Sequence, residues 1–267
     1  MNIVCIGAHP DDCEFFAGGT ALKWVQQGAN VLFVSLTNGD KGHFEILGPE
    51  LARRRIKETE ASAKIAGVTT MVLDIPDGEL MPTLELRKKV VDIIRQHDAD
   101  VVLTHRPNDY HPDHRYTSLL VQDAAFMVTV PGFSPDTPRC ASNPFFFYFQ
   151  DLFTKPTPFS PDVSVSIDDV IETKWLMLAA MESQVYEWLP WLDNKLDEVP
   201  KSQPERLEWL KKTWRPFFAE FAQHSFAGLE RRYGTEKAQK VQFAESFEIC
   251  EYGRKPTPED LESLFPL

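Results

Sequence analysis

The sequence has no apolar run that could cross a bilayer. Its most apolar stretches, Val31–Leu36 and Phe145–Phe149, fall far short of the roughly 20 residues a spanning helix needs. It has no basic cluster of the kind that grips phosphate backbones. Its 28 Lys and Arg are outnumbered by 40 Asp and Glu, for a net charge of −12. An acidic surface of that size disfavours nucleic acid and anionic membranes as partners. No Cys-x-x-Cys pair is present among Cys5, Cys13, Cys140 and Cys250, which argues against a thiolate zinc site or a disulfide framework. Cys5 and Cys250 fall in strand-like segments and read as small buried hydrophobes. There is no internal repeat and no low-complexity segment. The opening residues MNIVCIGAHPDD lack the basic start and apolar stretch of an export signal, so the expected location is cytoplasmic.

What is there is globular: 267 residues, 43% hydrophobic and 25% charged, enough to bury a sizeable core. The first half alternates. Asn2–Gly7, Asn30–Leu36, Val68–Ile75 and Asp100–Thr104 read as strands, nearly continuous in apolar residues as strands buried on both faces are. Between them Gly18–Gln27, Pro49–Ala66 and Leu84–His97 read as helices, the last with an apolar stripe of Leu86, Val90, Ile93 and Ile94. Such alternation predicts an α/β, Rossmann-like fold with a mostly parallel, doubly wound sheet. In the common strand order the first and fourth strands are neighbours where the winding reverses, and ligands bind there, beyond the strands' carboxyl ends.

After Met127 the texture changes. Val130–Pro161 holds seven of the 20 prolines and the cluster PFFFYF, which suggests irregular loops with an aromatic wall. Val163–Ile167 reads as a strand, Asp169–Ser183 and Glu205–Arg232 as helices, and Val241–Ile249 as a strand returning to the sheet edge. We read one domain over 1–267, with a core over 1–130 and an elaboration over 131–267. The aromatics of the second half (Trp188, Trp191, Trp209, Trp214, Phe145–Phe147) read mostly as core, a few being available to stack on a sugar ring. Glu245 breaks the parity of its strand; a buried salt bridge accounts for it, with an approach to the site as the alternative.

The two loops at the switch point are unusual. After the first strand comes Ala8-His9-Pro10-Asp11-Asp12-Cys13-Glu14, and after the fourth His105-Arg106-Pro107-Asn108-Asp109-Tyr110-His111-Pro112-Asp113-His114. Four of the seven histidines lie there, among carboxylates. Asp and Pro favour turns whatever the function, which would explain either loop alone but not both side by side. His9, Asp12, His111 and His114, with Asp11 as a fifth, suit a mononuclear metal site, with zinc the natural ion. Groups left uncoordinated would serve as acid and base. His105 and His43 read as loop residues rather than ligands. The first turn has no G-x-G-x-x-G, and its His, Asp and Pro would obstruct a dinucleotide's pyrophosphate.

AHPDD after the first strand and HPDH after the fourth resemble the PIG-L/LmbE family of metal-dependent N-acetylglucosaminyl deacetylases. The likeness covers about residues 1–130 and includes Gly18-Gly19-Thr20, Thr37-Asn38-Gly39-Asp40, and Arg55 with Glu58. It departs where Cys13 stands before Glu14 and where Asp40 replaces the commoner Glu. The resemblance implies His9, Asp12 and His114 as metal ligands and Asp11 as general base. It implies His111 as the imidazole that steadies the oxyanion or protonates the amine, and Asp113 as the carboxylate orienting a histidine. Arg55 resembles a residue that grips sugar hydroxyls, although an Arg-Glu pair on one helix has a structural reading too. Asp77, in a Pro-Asp-Gly turn, is a turn residue and a candidate substrate contact. The implied cofactor is Zn²⁺, with Fe²⁺ and Co²⁺ fitting the same donors, and the implied partner is a small N-acetylated sugar or glycoconjugate. The alternatives are an amidase cleaving a thiol-sugar conjugate or another acyl amide, and a binding protein whose metal only holds a ligand. Association of copies into a homo-oligomer is left open.

Overall fold

Short apolar runs with turn residues between them become one seven-stranded sheet in this computed structural model, which describes residues 1–267. In chain order the elements are β1 (Asn2–Gly7), α1 (Asp12–Gln26), β2 (Asn30–Ser35), α2 (Pro49–Ala66), β3 (Thr69–Val72), α3 (Leu84–Gln96), β4 (Val101–Thr104) and α4 (Pro112–Met127). They continue with β5 (Phe145–Phe149), β6 (Val163–Ser166), α5 (Ile171–Ala179), a π-helix over Ser183–Trp188 and α6 (Leu189–Leu192). A 3₁₀ turn at Leu196–Glu198, α7 (Gln203–His224), α8 (Phe226–Tyr233), α9 (Thr235–Ala238), β7 (Ala244–Ile249) and α10 (Pro258–Leu264) complete the chain.

The sheet order is β3-β2-β1-β4-β5-β7-β6. β1 pairs in parallel with β2 and with β4, in register Ile3 to Val101, so winding reverses between β1 and β4 as the alternation predicts. Period-two alternation divides each strand between two cores. Ile3 and Cys5 of β1 face a core shared with α1, α5 and α7, while Val4 and Ile6 face one shared with α3 and α4. No helix is long and apolar enough to cross a membrane.

Four expectations need correction. α1 begins at Asp12 rather than Gly18, because the turn after β1 runs straight into it. PFFFYF is not loop: Phe145–Phe149 is β5, fully buried and parallel to β4. Burying a Phe side chain contributes roughly 1.5–3 kcal/mol, which outweighs the irregularity of the Pro-rich flanks. The last strand begins at Ala244 and is not at the edge; it lies between β5 and β6, antiparallel to both. The single helix expected over Glu205–Arg232 breaks at Ser225. The Ser225 hydroxyl donates to the Phe221 carbonyl at 2.7 Å and meets Ser246 Oγ at 2.7 Å, and such side-chain bonds compete with the helix ladder.

One ion pair lies across these elements. Lys174 of α5 is fully buried, with Nζ 2.7 Å from Glu245 Oε1 of β7 and 2.7 Å from the Phe15 carbonyl of α1. Glu245 in turn accepts from the N–H groups of Gly19 and Thr20 at 2.8 and 2.6 Å. The salt-bridge account of Glu245 is therefore the one the structure bears out. Gly19 is required at this crossing, since a Cβ there would come within 2.7 Å of Ile167.

Candidate active site

The site begins with a turn that its own aspartate closes. Asp12 Oδ2 accepts from the N–H groups of Ala8 and His9 at 2.8 and 2.7 Å, fixing the carboxylate at the start of α1. A Cβ on Gly7 would lie 2.6 Å from that of Asp12, so only glycine allows the approach. Asp11 takes φ 138°, a left-handed backbone that costs a non-glycine residue of order 1–3 kcal/mol. The buried guanidinium of Arg55 holds it there, donating to the Pro10 carbonyl and, at 3.0 Å, to Asp11 Oδ2.

From the other side of the switch point, β4 delivers His105 and the loop that leads into α4. Pro112 stands at the first position of α4, and His111 caps the helix, its Nδ1 accepting from the Asp113 N–H at 3.2 Å. His114 follows one turn on.

The hydrogen bonds assign the tautomers. His9 Nε2 lies 3.1 Å from Asp77 Oδ1 and 3.4 Å from Asp113 Oδ2, so it carries the proton and leaves a lone pair on Nδ1. His114 Nδ1 lies 3.0 Å from Asp109 Oδ2 and carries its proton, leaving a lone pair on Nε2. Those two lone-pair nitrogens are 3.2 Å apart. Asp12 lies against both, its Oδ2 3.6 Å from the first and its Oδ1 3.5 Å from the second. Three groups able to ligate an ion thus converge. Donors 2.0–2.1 Å from a tetrahedral zinc are about 3.3 Å from one another, so the spacing fits such an ion.

The surrounding carboxylates favour positive charge at this point, whether as protons on the rings or as a metal ion that displaces them. Burial opposes charge on His9, but hydrogen bonds to Asp113, Asp12 and Asp77 outweigh it and hold the imidazole well above its ordinary pKa. Burial acts likewise on His114, and Asp12 and Asp109 raise it. Asp12 is drawn well below the carboxylate range: burial opposes its charge, but His114 and His105 prevail. Asp11 is pushed up to about 6 by burial, with Arg55 opposing. Burial and the nearby His9 and His114 lower His111.

His9, Asp11, Asp12, Arg55, Asp77, His111 and His114 all border one cavity of about 480 Å³. Asp113 is fully buried behind it and also accepts from the Gly78 N–H at 2.7 Å, tying the turn after β3 to the site. Arg55 and Asp77 reach the cavity wall but already hold Asp11 and His9. Trp188 and Trp214 line the cavity, while Phe145–Phe147 are core.

Sequence reasoning passed over three residues. His105 is buried, stacks on His114 with ring centroids 4.0 Å apart, and has Nε2 3.0 Å from Asp12 Oδ2. With Asp12 and His114 it forms one of three groups spaced for a metal, beside His9-His111-His114 and His9-Asp77-Asp113, so reading it as a plain loop residue is corrected. Its signal was its place directly after β4. Asp109 orients His114, and the need of a ligating histidine for a carboxylate partner points to it. Gln184, from the π-helix, had no sequence signal. Its amide nitrogen donates to the Gly42 carbonyl and to Ser183 Oγ, both at 3.1 Å, which leaves Oε1 as an open acceptor on the cavity wall. His43 is indeed a loop residue, its Nε2 2.8 Å from Glu187.

The family model for PIG-L, GlcNAc-PI de-N-acetylase, matches residues 4–125. Diacetylchitobiose deacetylase of Thermococcus kodakarensis is 34% identical over 202 residues, 72% of this chain and 74% of that protein. The chain belongs to the PIG-L family. Its class is accordingly that of the N-deacetylases. The solved N,N'-diacetylchitobiose deacetylase of Pyrococcus horikoshii superposes with a TM-score of 0.70 at 27% identity, covering 96% of this chain and 87% of that one. The 4-oxalmesaconate hydratase of Pseudomonas putida is 24% identical over 195 residues, 70% of this chain and 75% of that protein. The family frame thus carries more than one chemistry.

Proposed function

We propose that the protein is a zinc-dependent hydrolase that removes the N-acetyl group from an N-acetylglucosamine-type sugar or glycoconjugate. The observation that carries this reading is the convergence of His9 Nδ1, His114 Nε2 and Asp12 beside the carboxylate of Asp11. A divalent ion held by those three residues supplies Lewis acidity toward the acyl oxygen and acidifies water, and Zn²⁺, Fe²⁺ and Co²⁺ all suit nitrogen and oxygen donors.

The chain's own groups do the rest. Asp11, pushed up to about 6, is mostly ionised at neutral pH yet basic enough to take a proton from the attacking water. Arg55 fixes the direction of that carboxylate. His111 accepts at Nδ1 from the backbone, so its proton is on Nε2, available to the acyl oxygen and then to the departing amine. Asp113 and Asp77 orient His9, and Asp109 orients His114. Arg55 and Asp77 would meet the sugar only while keeping these bonds, so we assign them positioning as well as contact.

Hydration of an anion such as 4-oxalmesaconate is the weaker reading. The cavity is bordered by Asp11, Asp12, Asp77, Asp109 and Asp151, and its one guanidinium, Arg55, is engaged by Asp11. A substrate carboxylate would find no free cation of the chain.

The test is amine release from free N-acetylglucosamine, its inositol and malate conjugates and diacetylchitobiose, with zinc-loaded wild type beside Asp11→Asn and His114→Ala. Release by wild type is expected, with Asp11→Asn keeping metal but losing turnover and His114→Ala losing both. Equal metal loss in the two variants would sink the division of roles. Absence of release from every compound, with metal bound, would turn the reading toward another amidase or a binding protein.

A further inference from the structure

Facing the polar groups, the other half of the cavity is aromatic. Trp214, Phe217 and Phe221 lie at i, i+3 and i+7 of α7 and form one stripe along the cavity. Phe15 and Phe16 of α1 continue it, Phe15 meeting Trp214 with ring centroids 5.0 Å apart and Phe16 meeting Phe221 at 6.2 Å. Phe153, 37% exposed, stands at the rim of the same cavity.

A surface for stacking on a sugar presents one flat ring face. This wall does not. Trp214 and Phe217 are perpendicular at 90°, Phe217 and Phe221 are inclined at 42°, and Phe15 and Trp214 at 65°; Phe16 and Phe221 alone are near parallel, at 18°. Rings set edge to face form an irregular apolar trough, which suits an aryl ring or a short alkyl chain better than a pyranose. Along the trough the open polar group is Gln184 Oε1; Tyr110 and Asp151 stand only at the rim beside Phe153, with Asp151 Oδ1 already taken by Arg106 at 3.0 Å, so the trough itself offers a second sugar's hydroxyls little. At about 480 Å³ the cavity is of the size that encloses a whole small ligand.

We propose that the natural substrate carries an apolar group, aryl or alkyl, attached to the acetylated amino sugar and seated against Trp214, Phe217 and Phe221. This deepens the deacetylase reading and rests on it for the bond that is cut; the affinity it predicts is measured without turnover.

The experiment compares the phenyl and methyl β-glycosides of N-acetylglucosamine. Binding is followed by tryptophan fluorescence on zinc-loaded Asp11→Asn protein, and amine release on wild type. The phenyl compound is expected to bind roughly tenfold more tightly or better. That advantage should collapse when Phe217→Ala is added and largely survive Phe217→Leu, which keeps an apolar side chain and the fold. Affinities for the two glycosides within a factor of two would overturn the proposal, whatever the turnover. Tight phenyl binding without amine release from either compound would instead count against the deacetylase reading and leave the apolar seat standing.

Discussion

Lys174→Met removes a cation from a place where nothing can replace it. The ammonium is fully buried, 2.7 Å from Glu245 Oε1, 2.7 Å from the Phe15 carbonyl and 4.2 Å from the centre of the Phe218 ring. Without it Glu245, 2% exposed, keeps only the Gly19 and Thr20 N–H groups, and the Phe15 carbonyl loses its donor. Breaking a buried pair from one side costs about 3–5 kcal/mol. For a chain of this size that lowers Tm by roughly 6–20 °C. Glu245→Gln should cost a similar amount, because it strands the ammonium while keeping one acceptor oxygen. The double variant strands neither charge, so its cost should fall below the sum of the singles by about 2 kcal/mol or more. Urea unfolding of the four proteins measures the cycle. Single variants within 1 kcal/mol of wild type, or strictly additive costs, would refute the view that this pair clamps α1 to α5 and β7.

Three further outcomes follow from the site. Stripping divalent ions with a chelator should abolish amine release and lower Tm, and zinc at a hundred times its Kd should restore about 2.7 kcal/mol of stability; calorimetry with and without zinc reads both. Gln184→Leu should reduce kcat/KM for acetylated amino sugars roughly tenfold by removing the open Oε1 acceptor, with bound zinc, measured by elemental analysis, unchanged. Burial opposes charge on Glu187, but Arg54 and His43 prevail and hold it below its ordinary 4.5. Its contribution is therefore complete above pH 4.5 and drains as pH falls through the lowered folded value. Glu187→Gln should be less stable than wild type at pH 7, by roughly 1–3 kcal/mol, with the gap narrowing as the pH falls below 4.5; a constant gap in urea midpoints on acidification would contradict this.

β1, β2 and β4 were legible because each is buried on both faces and reads as an apolar run between turn residues, whereas β3 is a half-exposed strand at the sheet edge. Their order then located the site before any side chain was weighed. β5 has the same signature in Phe145–Phe149, but the prolines around it pulled the reading toward loop. Arg55 shows the limit of spacing arguments. Three residues from Glu58 on one helix, it suggests an intrahelical pair, yet Glu58 bonds Arg54 at 3.1 Å and Arg55 turns to Asp11. Which of two adjacent arginines faces inward depends on the helix's rotation against the sheet. The π-helix that presents Gln184 depends on tertiary packing as well. Its neighbour Ser183 donates to Glu58 at 2.6 Å, a contact across 125 residues that no local pattern encodes.

The parallel pairing of β1 with β4 also fixes when the site can exist. His9 and His114 stand 105 residues apart in the chain and meet only because those two strands lie side by side. A nascent chain that has emerged only through α3 carries His9 and Asp12 but not His114. Closing so long a loop is an entropic cost met by strand pairing rather than by the ion. Uptake of a divalent ion during refolding should therefore act as a clock for the centre of the sheet, starting once β4 has docked and reporting nothing about the segments that fold before it.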